Sequence, residues 1–219
     1  MSTFTPADLG ERQALRHYLG LLLALDTRAA VRLQGSGAVL GVWGGPPLEV
    51  VSLRPVALAE SIEPLDATVS ATRLLERLDD AAELDVVGPV EVPPTVSGPA
   101  WAGLLPPRSG WTARATVPAA SVHDAVRVGV DAFQRWVELV PTGDRSRAQL
   151  DAAAADVWHR PVVAGVPLRA AHAAELVGLL GREGDVVVYE SGPWLRLSCP
   201  GGSVALRCDS GALLDLFAL

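Results

Sequence analysis

"WLRLSCPGGSVALRC", residues 194–208, decides the fold. Two runs in which large apolar residues alternate with polar ones flank a Pro-Gly-Gly. A period of two marks a strand with one buried face, and Gly-Gly suits a two-residue hairpin turn. With Gly201 and Gly202 at the turn, Cys199 falls opposite Val204, Leu197 opposite Leu206 and Leu195 opposite Cys208, all on one face. Trp194, Arg196, Ser198, Ala205 and Arg207 take the other face, with Arg196 directly opposite Arg207. The two cysteines are then about four residues, or ~13 Å, apart along the strands. A disulfide needs Cα atoms within about 7 Å, and the hairpin holds no further metal ligand. Both cysteines read as small core residues.

Outward from the hairpin, "DVVVYE" (185–190) adds a third strand. A similar triplet lies earlier: "AAVRLQ", "AVLGVW" and "LEVVSLR", separated by "GSG" and "GGPP". Between them run helical patterns. The first follows Thr5 as N-cap and Pro6, with Leu15, Leu19 and Leu22 on one face. Others are expected over 66–82, 119–140, 144–158 and from Pro167 to a stop at Gly181. "WTARATVP" (111–118) reads as a strand. Helix, three-stranded meander, further helix thus recurs near 6–83 and 167–219. The expected architecture is α+β, with two pseudo-repeated units, each an antiparallel meander of three or more strands flanked by helices. The units would be 1–87 and 111–219, joined by a Pro/Gly-rich arm over 88–110 that packs on the body, since Trp101 and Trp111 accompany it.

Composition excludes several chemistries. All 18 basic residues are arginine and none is lysine, so no Schiff base, pyridoxal anchor, Ser–Lys dyad or phosphate-loop lysine is available. Asparagine is absent, which removes N-glycosylation. A net charge of −7 argues against nucleic acid and anionic membranes. Mean hydropathy of +0.29 implies a large core or self-association. The run "YLGLLLAL" (18–25) is preceded by Asp8 and Glu11 and ended by Asp26, so it reads as a buried helix rather than an export signal, and the expected location is the cytoplasm. "ALLDLFAL" (212–219) is expected to be buried, against the second unit or across a dimer interface.

Catalytic motifs are missing. "GSGAVLG" (35–41) has the wrong spacing for a dinucleotide loop and no room for the following helix, so it reads as a hairpin turn. His17, His123, His159 and His172 form no metal-ligand spacing. His172 and Glu175 sit one helical turn apart, a spacing most often structural, and His123-Asp124 marks a helix start. No serine lies in G-x-S-x-G. No cofactor and no metal are implied.

Two functions remain in view. The first is a non-catalytic binding or scaffold protein whose Trp194, Arg196 and Arg207 face, with Arg108 and Trp111 on the diproline loop "LLPPRSGW", engages an acidic protein or peptide. A protein partner or a homodimer fits this. The second is a small-molecule-binding protein or enzyme with a pocket between the units, where Arg108 holds an anion beside Trp111 and His123 or His172.

Overall fold

The computed structural model describes residues 2–80, 87–140 and 146–208. After β1 (Thr3–Phe4) comes α1 (Leu9–Leu25). Its cap is Asp8, whose carboxylate accepts the Glu11 N–H at 2.8 Å. The expected cap, Thr5, is too early, because Pro6 still bridges Leu58 in extended form. Leu15, Tyr18, Leu19 and Leu22 form the buried stripe of this helix.

The next two elements, β2 (Ala30–Gly44) and β3 (Val51–Ser70), make one long hairpin instead of a three-stranded meander. "GSG" is not a turn. It is an irregularity inside β2, where the register to β3 shifts on either side of Gly37, and Gly37 has a φ of 66°. β3 also runs through residues where a helix was expected. Val69 and Ala67 pair with Val31 and Leu33 on the buried face, and Asp66 accepts two hydrogen bonds from Arg32 and one from Gln34. Cross-strand partners outweigh local helical spacing, and α2 (Ala71–Asp80) starts only beyond them. The expected end of that helix lies outside the described residues.

The 88–110 segment packs along the first half. Its β4 (Val90–Glu91) pairs with β1, Val96 N–H donates to Thr68 O, and Arg32 donates to Ala102 O. Then follow β5 (Thr112–Pro118), α3 (Ala119–Leu139), α4 (Arg147–Trp158), a small hairpin of β6 (Pro161–Val163) and β7 (Val166–Pro167), and α5 (Leu168–Leu176). The chain continues with β8 (Asp185–Ser191), β9 (Trp194–Cys199) and β10 (Gly202–Arg207).

These strands build a six-stranded antiparallel sheet in the order β2-β3-β10-β9-β8-β5. The protein is α+β, with two pseudo-repeated units that each set helices against antiparallel strands. The units share this sheet through β3 and β10, where Val51, Ser52 and Leu53 pair with Ala205, Val204 and Ser203. One buried apolar cluster runs through both, from Leu15 and Leu33 to Leu168, Leu197 and Val204.

The β9–β10 register differs from expectation by two residues. Pro200 and Gly201 occupy the turn, so Cys199 pairs with Gly202, Arg196 with Ala205 and Arg207 with Trp194. The two arginines are therefore diagonal neighbours rather than directly opposed. A two-residue slip leaves every side chain on its expected face, because the strand period is two. Cys199 is a buried thiol. Burial pushes the Cys199 thiol up to about 12, which makes it inert as a nucleophile. The 212–219 run lies outside the described residues.

Candidate functional site

A groove opens where the two units meet, on the face of the sheet turned away from α5. Its first wall is the β2–β3 turn. Leu48 and Glu49 hold positive φ values of 85° and 55° there, a conformation that side chains other than glycine adopt at a cost. Arg169 on α5 secures it, donating to Leu48 O at 3.2 Å and to Glu49 Oε2 at 2.6 Å. The second wall is the short 3₁₀ turn Ala100–Gly103 with Leu104. Trp101 lies directly on Gly45, where a Cβ would come within 2.3 Å of the indole Nε1, so only glycine lets the ring settle. The floor and third wall come from Val51, Trp194 and Ala205, with Arg207 at the rim.

The groove has a volume of about 370 Å³, at the low end of the ~300–1,000 Å³ usual for ligand clefts. Leu104 stands 52 % exposed at its edge. Its lining is apolar apart from Arg207 and Glu49, and Glu49 is already paired with Arg169. Arg207 has no hydrogen-bond or ion-pair partner among the described residues, so it is available to a carboxylate.

The five residues singled out from sequence divide into three places. Trp194 and Arg207 line the groove. Arg196 lies between two rings, 4.2 Å from the centroid of Trp111 and 4.8 Å from that of Tyr189, which makes it a packing element. Burial holds its pKa below the usual guanidinium range. Trp111 also donates its indole N–H to Pro107 O at 2.8 Å, fixing the diproline loop. Arg108 is exposed on that loop, and its charge helps hold the Asp66 carboxyl low, after the larger effect of the Arg32 hydrogen bonds. The sequence missed Trp101 and Leu104 as site residues. The signal was the "GGPP" turn, whose second glycine, Gly45, leaves space for an indole.

Trp111 and His123, expected to share a pocket with Arg108, lie at opposite ends of β5. Trp111 precedes β5, whereas His123 lies one turn into α3 beyond its far end, so seven strand residues, roughly 23 Å, separate them. His123 instead joins α3 to α5. Its Nδ1 is 2.7 Å from Glu175 Oε1 and its Nε2 is 2.6 Å from Gly181 O. Both ring nitrogens face acceptors, so only the imidazolium can donate to both. The Gly181 carbonyl raises the His123 pKa most, burial opposes it, and Glu175 raises it further. His172 stacks on Trp158 at 4.7 Å, and burial lowers its pKa.

These shifts have opposite signs. His123 stabilises the fold fully below its unfolded pKa, near 6.5, and that contribution fades as pH rises through its raised folded value. His172 acts in the reverse sense, costing stability as pH falls below about 6.5. We expect His123→Gln to cost about 1 kcal/mol at pH 5.5 and clearly less at pH 9, read from urea midpoints. A loss that did not change with pH would place a neutral imidazole at this junction.

Among the described residues, no three His, Cys, Asp or Glu side chains gather as metal ligands, and no helix is long and apolar enough to cross a membrane. Residues 1–103 match the model of one domain of unknown function (DUF8010), and residues 106–211 match another (DUF8185). The two matches meet beside Leu104, at the groove. No curated protein matches the chain in sequence.

In fold, the chain is similar to bacterial sliding clamps. It matches the DNA polymerase III subunit beta of Pseudomonas aeruginosa at 17 % identity and a TM-score of 0.51, covering 96 % of this chain and 65 % of that one. It matches the Borrelia burgdorferi subunit, solved with a natural product, at 9 % identity and a TM-score of 0.58, covering 96 % and 65 %. A Bartonella birtlesii sliding clamp gives 12 % identity, a TM-score of 0.54 and coverage of 96 % and 66 %. The chain spans about two thirds of the length of these proteins. At such identities the likeness is one of fold.

Proposed function

We propose that this protein is a non-catalytic scaffold that captures a short apolar segment of a protein partner in the junction groove. The observation carrying this is the groove itself, with Pro46, Val51, Trp101, Leu104, Trp194 and Ala205 around an apolar trough and Arg207, unpaired among the described residues, at the rim. Such a site favours two or three large apolar side chains in extended form with one carboxylate nearby. Buried aromatic anchors with a peripheral arginine are the usual source of binding energy in protein interfaces. The likeness in fold to sliding clamps of a DNA polymerase supports a part in holding another molecule rather than transforming one.

Charge favours protein over nucleic acid as that molecule. The five helices together carry eight arginines and ten carboxylates, whereas binding along a phosphate backbone draws on a clustered positive surface. The cytoplasm is the compartment where a buried thiol such as Cys199 stays reduced.

Selection of random peptides displayed on phage against the immobilised full chain tests this. Enriched sequences should combine two or more large apolar residues with an Asp or Glu. Enrichment should vanish with Leu104→Glu, an exposed position whose change leaves the core untouched. Selection of the same peptides by the variant, or none by either protein, would exclude the groove as the capture site.

A further inference from the structure

We infer that Arg169, which does not itself line the groove, sets the groove's preference for an acidic segment by neutralising Glu49. This rests on the groove being a peptide-capture site and adds the residue that determines its charge specificity.

Among the described residues, two charged side chains line the groove, Arg207 and Glu49. Without Arg169 they would cancel. The Glu49 side chain is 86 % exposed and can turn to Arg207, which has no other partner among the described residues. Arg169 prevents this. It comes from α5, 120 positions away in the chain, and its Nη1 donates both to Glu49 Oε2 and to Leu48 O. Only 14 % of the Arg169 side chain is exposed, and its buried Nε makes no hydrogen bond among the described residues. The hydrogen bonds of this guanidinium therefore all go to the β2–β3 turn.

Local helix chemistry gives no reason for an arginine here. Arg169 is the second residue of α5, which holds no acid in its first turn, and a cation there opposes the helix dipole. The turn supplies the reason. Leu48 and Glu49 are consecutive residues at positive φ, a combination that backbone preference alone disfavours. Their conformation brings the Leu48 carbonyl and the Glu49 carboxylate to one guanidinium. The bonds from Arg169 offset the backbone cost and hold the carboxylate on the wall.

The groove is left with two guanidinium charges against one carboxylate, a surplus that a carboxylate on the bound segment matches. With a neutral residue at position 169 the surplus vanishes, and Arg207 pairs with Glu49 in place of the partner. Over several ångströms on a half-exposed surface, one unit charge shifts the affinity for a charged side chain about fivefold. A charge-assisted hydrogen bond from Arg207 favours an acid over its amide about tenfold.

The test starts from a peptide that the unaltered full chain enriches from the random phage library. It is labelled with fluorescein and paired with an analogue in which each Asp or Glu becomes Asn or Gln. Anisotropy titrations then give the acid-to-amide affinity ratio for four full-length proteins. The unaltered protein should favour the acid about tenfold, Arg169→Gln about twofold, Glu49→Gln about fiftyfold, and the double variant about tenfold again. A purely structural role would weaken both peptides alike in Arg169→Gln and leave the ratio at about tenfold, which overturns the inference. A double variant that stays near twofold overturns it too, since loss of the Glu49 charge should make Arg169 unnecessary. Glu49→Gln alters only an exposed side chain, so a ratio there of tenfold or less is decisive even if Arg169→Gln fails to fold. Enriched peptides without an acid would remove the charge specificity while leaving the capture site. A library that enriches nothing on the unaltered protein would remove both.

Discussion

Gly202→Val is expected to lower the unfolding free energy by about 3 kcal/mol. Gly202 opens β10 at the seam where the two units join. A Cβ there would lie 2.3 Å from Leu53 O and 3.0 Å from the Leu179 side chain. The Leu53 oxygen is backbone in β3 and cannot step aside without pulling apart the pairing of Leu53 with Ser203. A φ of 152° adds strain for any side chain. Gly201 is equally confined, 2.9 Å from Leu179 O, and its carbonyl accepts from Arg54, which also pairs with Glu11 on α1. The control is Gly192→Ala, in the β8–β9 turn. Its φ is also positive, at 54°, but nothing lies within 4 Å of the added carbon. Only the backbone preference is lost there, about 1 kcal/mol. Urea denaturation of both variants separates close approach from conformational preference, and equal losses would refute the tight seam.

The same two glycines explain what the sequence could and could not convey. Alternation along 194–208 was enough to fix two strands and both faces, because face depends only on parity. Register depends on which residues make the turn, and Pro-Gly and Gly-Gly are both competent. Tertiary contact decided it: Gly202 is needed inside the strand, where Leu53 approaches most closely. The long β2–β3 hairpin was concealed for a similar reason. Gly35-Ser36-Gly37 has the composition of a turn, and only pairing with β3 reveals that the chain continues straight. Residues 66–70 have helical spacing with α2, yet Asp66 is claimed by Arg32 from the neighbouring strand, a partner 34 positions away.

The candidate site was legible in halves. Trp194 and Arg207 were placed correctly on one sheet face by parity. Arg196 shares that face but is consumed by Trp111 and Tyr189, and sequence carries no sign that two rings converge on it. Trp101 and Leu104 sit in a Pro/Gly-rich arm whose course depends on pairing between β4 and β1 and on the bond from Arg32 to Ala102. Such an arm has no periodicity to read, so its contribution to the groove emerges only once the body beneath it exists.

Replacing Tyr18 should produce the second large effect, and one that depends on pH. Tyr18 is among the largest fully buried side chains, packed on α1 with its hydroxyl 2.7 Å from Ser52 Oγ. Ser52 in turn donates to Gly44 O at 3.2 Å and lies beside the seam, opposite Val204. Tyr18→Ala removes a ring that nothing can replace and is expected to cost about 4 kcal/mol. Tyr18→Phe keeps the ring and leaves Ser52 bonded to Gly44, so about 1 kcal/mol is expected at pH 8. Burial raises the Tyr18 pKa well above the usual phenol value, and the Ser52 hydrogen bond only partly offsets this. The folded protein therefore keeps a proton that the unfolded chain releases near pH 10. Stability must fall as pH rises above 10, by up to about 1.4 kcal/mol per unit from this residue alone. Phenylalanine cannot ionise, so Tyr18→Phe escapes that loss. By pH 11 its deficit relative to the unaltered protein should have closed. Tyr189 is the only other tyrosine and is common to both proteins, so it cancels in the comparison. A deficit that stayed constant from pH 8 to 11 would mean that the phenol ionises as readily as a free one, and would overturn its burial between α1 and the seam.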